Sequence, residues 1–273
     1  MPKEIYMAFL DKYRHELLKN APVVYEGLTL HPLTVEDYDI YSAGKEPFEL
    51  MLSSLKDPKL ARLNWCACLW ELDKRCEQQT GTEGDFLAIT LYVLATALRL
   101  KPSYDGSLPM RPVFADNGDL TAIMLGDPRD CGLLNMQQMD CIRQIIAAQN
   151  GYTIPNETWN PELVKAAQEN AARGAAQLEW SMEDLVASVA LNSGCRPADI
   201  YEWPIREFQQ TQDAIDRKLG YLVCSAAELI GNVQFTKGNP YPSWKFNRKS
   251  EMPAGFRSIS DIDAGAKGLV AGT

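Results

Sequence analysis

The groups in this chain that could do chemistry are its seven cysteines, its two histidines and several paired carboxylates. A nucleophile–base site needs a histidine, or an equivalent base, within reach of a serine or cysteine. Both histidines, His15 and His31, lie in the first 31 residues, and no Gly-x-Ser-x-Gly surrounds any serine. His15 falls on the polar face of an expected helix. His31 precedes Pro32 at an expected strand end, so solvation and structure account for the pair. The cysteines are Cys66, Cys68, Cys76, Cys131, Cys141, Cys195 and Cys224. The closest two, Cys66 and Cys68, cannot chelate from one helix face, because residues two apart point about 200° from each other. No Cys-x-x-Cys occurs, and most of the thiols sit in apolar stretches such as NWCACLWEL and LGYLVCSAAEL. There a cysteine behaves as a small hydrophobe. No metal and no cofactor are expected, and reduced thiols point to a cytoplasm.

The carboxylate pairs Glu36/Asp37, Glu183/Asp184 and Asp261/Asp263 could do acid–base work only if burial split their pKa values. The first two fall in expected helix first turns, where acids stabilise the helix dipole without any catalytic role. The run DNGD at 116–119 lacks the spacing of a calcium loop, and its Asn-Gly reads as a turn. No glycine-rich phosphate cradle precedes a helix. No catalytic residue is expected, so function has to come from contact.

The elements that would position such contacts follow from periodicity and caps. The chain's 273 residues suffice for one large or two small domains. The N-terminal stretch MPKEIYMAFLDKYRHELLK is amphipathic and charged, reads as a helix over 3–19, and is not a signal peptide. A hairpin turning at Glu26-Gly27 is predicted over 24–33. Thr34, followed by Glu36 and Asp37, starts a helix over 34–43, with further helices over 46–55 and 58–78. The nearly all-apolar segment Phe86 to Leu100 is the expected centre of the N-terminal core. Asn117-Gly118 between apolar runs predicts a second hairpin, over 112–125, with a type I′ turn. A helix from Met136 to Asn150 should stop at Gly151.

NGYTIPNETWNP at 150–161 is the expected linker, and a helix over 161–178, capped by Asn160, is either peripheral or a partner surface. Ser181 with Asp184 opens a helix ending near Gly194. Arg196 to Val233 reads as one or two long helices, with Pro204 breaking or restarting them. The resulting expectation is a mainly α protein with one or two short β-hairpins in its N-terminal half. An N-terminal helical domain spans 1–152, a C-terminal helical domain 153–250, and a flexible Gly/Ala-rich tail 251–273.

Aromatic residues concentrate in the last third: Trp203, Phe208, Tyr221, Phe235, Tyr241, Trp244 and Phe246. In KGNPYPSW, Pro240 and Pro242 hold Tyr241 and Trp244 in an extended run that is either a lid on the helical core or a contact for a partner. Trp203, Tyr241, Trp244 and Phe246 are the candidate partner-binding residues. No stretch approaches a membrane span. A formal charge of −9 disfavours nucleic acid, whose backbone repels an acidic surface.

The segment GLTLHPLTVEDYDIY resembles the opening of proteins from the tail modules of tailed phages and prophages of Gram-positive gut bacteria. Those proteins begin with a small hairpin, a Leu-x-Pro-Leu/Val-x-Val-x-Asp-Tyr step and a helix. IIAAQNGY, SMEDLVASVALNSGCRPADIYEWPIREFQQTQDAIDRKLGY and FTKGNPYPSWKFNRK resemble their helical C-terminal part, in the same order, while 101–135 and the stretch after 250 do not. The resemblance implies a non-enzymatic tail assembly chaperone that coats the tape-measure protein. It would act in the host bacterial cytoplasm. The alternative that it implies is a structural component of the tail or baseplate, present in the virion. The expected partners are phage tail proteins, the tape measure first and tail-tube subunits second, with a homo-oligomer as a further option.

Overall fold

Two residues in left-handed conformation decide the first hairpin. Strands β1 (Val23–Tyr25) and β2 (Leu28–Leu30) pair antiparallel across Glu26 and Gly27, whose φ angles are +48° and +83°. Positive φ at both central residues is the type I′ geometry, whose twist matches that of the strands. A computed structural model describes residues 9–55, 57–82, 84–101, 107–126, 132–155, 157, 160, 162, 164, 166, 181–231, 235, 241, 243 and 245.

The expected helix over 3–19 is helical at 9–11 and again in α1 (Arg14–Leu18), with a turn at Lys12 and Tyr13 between them; Ile5 lies outside the described residues. Thr34 opens a 3-10 turn, Val35–Asp37, closed by a reciprocal cap in which the Asp37 carboxylate accepts from the Thr34 N–H and hydroxyl, both at 2.9 Å. The chain continues into α2 (Tyr38–Phe48), so the helices expected over 34–43 and 46–55 are replaced by one that ends at Phe48. Pro47 lies in its last turn, where few intrahelical bonds remain to lose. The terminal carbonyls are satisfied by side chains from elsewhere. Pro47 O accepts from the Trp65 indole N–H at 2.7 Å. Phe48 O accepts from Arg143 Nε and Nη2 at 3.1 and 2.6 Å, and Leu50 O from Nη2 at 3.0 Å.

Short 3-10 turns at Leu52–Ser54 and Leu60–Arg62 lead to α3 (Trp65–Thr80). Helix α4 (Phe86–Ala97) is apolar nearly all round and starts on the Asp73 carboxylate of α3, which accepts from the Phe86 and Leu87 amides at 2.9 and 2.8 Å. A carboxylate at a helix N-terminus satisfies orphan amides and complements the dipole. Strands β3 (Met110–Phe114), β4 (Leu120–Leu125) and β5 (Gly132–Asn135) form a sheet in that order, all antiparallel. The third strand adds to the expected hairpin. The turn also differs from type I′: only Gly118 has positive φ, at +82°, while Ala115 N–H reaches Asp119 O and Gly118 N–H reaches Ala115 O, both at 2.9 Å. That is a type I turn closed by a left-handed glycine, with the register slipping at Val113/Phe114.

Helix α5 (Met136–Asn150) begins at a reciprocal Asn135/Gln138 cap and ends at Gly151, φ +78°. It packs against α2, α3 and the sheet. Helices α6 (Met182–Ser193), α7 (Pro197–Tyr201) and α8 (Ile205–Leu229) follow. The Ser181/Asp184 cap and the Gly194 stop stand where expected, and Pro204 separates α7 from α8. The fold is therefore mainly α with two small antiparallel sheets in its N-terminal half.

Among the described residues, the first hairpin, the sheet, α1 to α5 and Ile205 contribute to an apolar core that contains an aromatic column. Tyr41 stacks on Tyr152 at 4.8 Å between centroids, Tyr152 on Phe48 at 4.9 Å, and Phe48 meets Trp65 edge-on at 5.0 Å. The buried Arg143 guanidinium lies 4.8 Å over the Trp65 ring, adding a cation–π contact to its carbonyl bonds. The first compact unit comprises Met1–Ala166 with Leu178–Gln209, and the second Ala167–Gln177 with Gln210–Thr273. The chain thus returns to the first unit beyond the boundary expected at 152/153. Most of the expected 161–178 helix and the 251–273 tail lie outside the described residues, although Glu162 N–H does bond the Asn160 side chain at 2.9 Å, as a cap requires.

Gly44 marks a close crossing of α2 with α4. A Cβ there would stand 2.6 Å from the Tyr152 hydroxyl and 2.8 Å from Val93 Cγ2, and would push Tyr152 off the Tyr41 carbonyl that it bonds at 2.9 Å. Gly44→Ala is expected to cost about 1–3 kcal/mol, as overpacking does. Urea unfolding followed by circular dichroism measures it, and an unchanged midpoint would show that the crossing is slack.

Candidate functional site

The long C-terminal helix α8 starts where two distant segments zip together. Val35 N–H donates to Trp203 O and Ile205 N–H to Leu33 O, both at 2.9 Å, around a bridge between Thr34 and Pro204. Leu33 is itself fixed, because its N–H reaches the buried Asn150 Oδ1 at 2.7 Å. Ile205 and Phe208 then bury the first turn. Arg206 Nη1 donates to Leu17 O at 3.0 Å and Ala148 O at 3.1 Å, and Gln209 Nε2 donates to the Tyr41 hydroxyl at 2.8 Å.

Beyond Gln209 the helix belongs to the second unit, and from Leu219 on its large aliphatic residues are exposed. Half-buried positions there carry Arg217, Gly220, Tyr221, Cys224 and Ala227, while Leu219, Leu222, Val223, Ala226, Leu229 and the following Ile230 are exposed. At roughly 100° per residue the exposed set spans an arc of about 120°, wide enough for a helix-packing face. A helix that only served its own core would turn its large aliphatic residues inward. This one half-buries small residues at Gly220, Cys224 and Ala227 beside Ile215, Arg217 and Tyr221, and leaves Leu219, Leu222, Val223 and Leu229 toward solvent. At Gly220 the reason is local: the Tyr241 ring lies so close that a Cβ would come within 2.9 Å of it.

Of the four sequence candidates for partner contact, Trp203 lies in the first unit, half-buried, with its carbonyl committed to Val35 N–H and its own N–H to Ile200 O at 3.0 Å. Tyr241 lies in the second unit, against Gly220 and partly exposed. Trp244 and Phe246 lie outside the described residues. The exposed aliphatic stripe escaped the aromatic reading. Its signal was present as apolar spacing of three and four residues at Ile205, Phe208, Ile215, Leu219, Leu222, Ala226 and Leu229, interrupted only by Gln212.

Several of the groups capable of chemistry are held in structural roles among the described residues. Asp37 closes the cap at Thr34, and Asp184 the cap at Ser181, whose amide and hydroxyl bonds hold this carboxyl below its usual range. In the DNGD turn, Asn117 and Asp119 bond each other at 2.7 and 3.1 Å. Asp140 takes the Trp65 amide at 3.3 Å, and burial raises its carboxyl. His31 donates its backbone N–H to Ala97 O at 2.7 Å, while burial, aided by Arg99, keeps its imidazole below the usual histidine range. Asp261 and Asp263 lie outside the described residues. Among the described residues no three His, Cys, Asp or Glu side chains gather as a metal would require, and no helix is long and apolar enough to cross a membrane. Comparison with protein-family models, with curated proteins and with solved structures finds no match.

Burial pushes the Cys66 thiol up to about 12, with Asp140 adding, and the Cys68 thiol up to about 11. Only thiolates alkylate readily. Iodoacetamide at pH 8 is therefore expected to modify the half-buried Cys195 in the folded chain while Cys66 and Cys68 react only in urea, as read by peptide mass spectrometry. Equal labelling of all three without denaturant would contradict the packing of α3.

Proposed function

We propose that this chain is a non-enzymatic phage tail assembly chaperone that binds the tape-measure protein during tail morphogenesis. The observation that carries the reading is the exposed aliphatic stripe from Leu219 to Ile230. Isolated surface leucines are ordinary, but a continuous apolar arc along one helix face is a contact surface. An amphipathic or elongated helical client would lay its own apolar face along that arc, giving helix-to-helix packing with anchors at three- and four-residue spacing. The resemblance of residues 27–41 and of the C-terminal helical segments to phage tail-module proteins supplies the identity of the client and the host cytoplasm as the place of action. Supporting it further, Asp37, Asp73 and Asp184 are engaged in holding helix starts.

Co-expression of the full chain with the cognate tape-measure protein tests the proposal. Leu222→Glu with Leu229→Glu removes two exposed anchors, each worth about 1.5–3 kcal/mol when fully buried, so recovery of the complex should fall at least tenfold. Tyr241→Ala with Trp244→Ala should weaken it less, since the Tyr241 ring lies against Gly220, outside the stripe. Undiminished recovery by the folded stripe variant would overturn the site. Stoichiometric presence of the chain in purified particles, read by mass spectrometry, would overturn the chaperone reading in favour of a virion component.

A further inference from the structure

We infer that in the absence of a client the stripe on α8 pairs with the same stripe of a second copy, forming a weak, concentration-dependent dimer. The inference uses the surface named above but does not depend on the tape measure being its client. Counting from Ile205, positions 205, 212, 219 and 226 and positions 208, 215, 222 and 229 form the two alternating series of a heptad repeat. Their occupants are Ile, Gln, Leu and Ala in the first series and Phe, Ile, Leu and Leu in the second. Such a seam is complementary to itself, because each knob of one helix enters a hole bounded by four residues of the other. The first turn of the seam is used inside the chain, where Ile205 and Phe208 are buried, and the remainder from Leu219 onward is exposed.

Charge selects the same occupant. The chain carries −9 overall, which opposes self-association across most surfaces. From Leu219 to Ala227 there is no charged residue, so two copies meet along this stretch without facing like charges. Area sets the strength. Leu219, Leu222, Val223, Leu229 and Ile230 are 47%, 52%, 68%, 88% and 69% exposed. At about 150 Å² for a large side chain, the low end of the aromatic range, that leaves about 500 Å² per copy, or about 1,000 Å² for a pair. Stable dimers bury more than this, and transient ones about this much. The pair is accordingly weak enough for a helical client to displace one copy.

Sedimentation equilibrium of the full chain from about 1 to about 100 μM, the range that spans micromolar affinity, tests the inference. The weight-average mass should rise from 30.5 kDa toward twice that value, and Leu222→Glu with Leu229→Glu should hold it at the monomer mass with unchanged helicity. Asp213→Ala, on an exposed position of the helix away from the stripe, should dimerise like the parent. A parent chain that stays monomeric throughout, or a stripe variant that still dimerises, overturns the pairing. The two readings separate cleanly. Capture of the tape measure by a chain that never self-associates removes only the dimer, and a dimer that captures no tape measure removes only the client.

Discussion

One buried asparagine fixes where the C-terminal helix begins. Asn150 closes α5 with its side-chain amide on Ile146 O at 2.8 Å and offers its oxygen to the Leu33 N–H at 2.7 Å. With Leu33 so held, its carbonyl stands ready for the Ile205 amide, and Val35 N–H for the Trp203 carbonyl. The neighbouring Gln149 works in the same way, donating to Leu30 O at 2.9 Å and tying β2 to the same helix end. A buried amide left without these partners would cost about 1–3 kcal/mol. The constraint is therefore strong enough to bring residues more than a hundred positions apart into register at the start of α8.

Much of the local structure was legible in the sequence because it is decided within four residues. Thr34 with Asp37, Ser181 with Asp184, and the glycines at 151 and 194 act through their own turns. The Glu26-Gly27 turn was legible for the same reason, since nothing but positive φ is asked of those two positions. Asn117-Gly118 misled because the same dipeptide serves both a two-residue type I′ loop and a longer loop with only glycine left-handed. Choosing between them requires the register of the flanking strands, which the slip at Val113/Phe114 sets.

What the sequence hid is long-range. The helix α2 ends at Phe48, one residue past Pro47, and its last carbonyls are taken by Trp65 and Arg143 from elsewhere in the chain. The polar Arg143, Gln149 and Asn150 of α5 are buried, each hydrogen-bonded to backbone of another element, with Asn150 also bonding Ile146 O of its own helix. No local pattern reveals that, since the partners on other elements lie about 95 to 120 residues away. The stripe on α8 was obscured differently. Its spacing was visible, but a heptad on a long helix is equally well read as core, and only the side left uncovered distinguishes a contact surface from an interior one.

The uncovered side of α8 is the proposed place of contact. Site-specific photo-crosslinking from position 222, in cells producing the full chain together with the cognate tail proteins, tests it most directly, with position 213 as the comparison. A stripe that docks helices predicts covalent adducts from 222, carrying the tape measure or a second copy, and few from 213. Absence of adducts from 222, or equal yields from both positions, would contradict it.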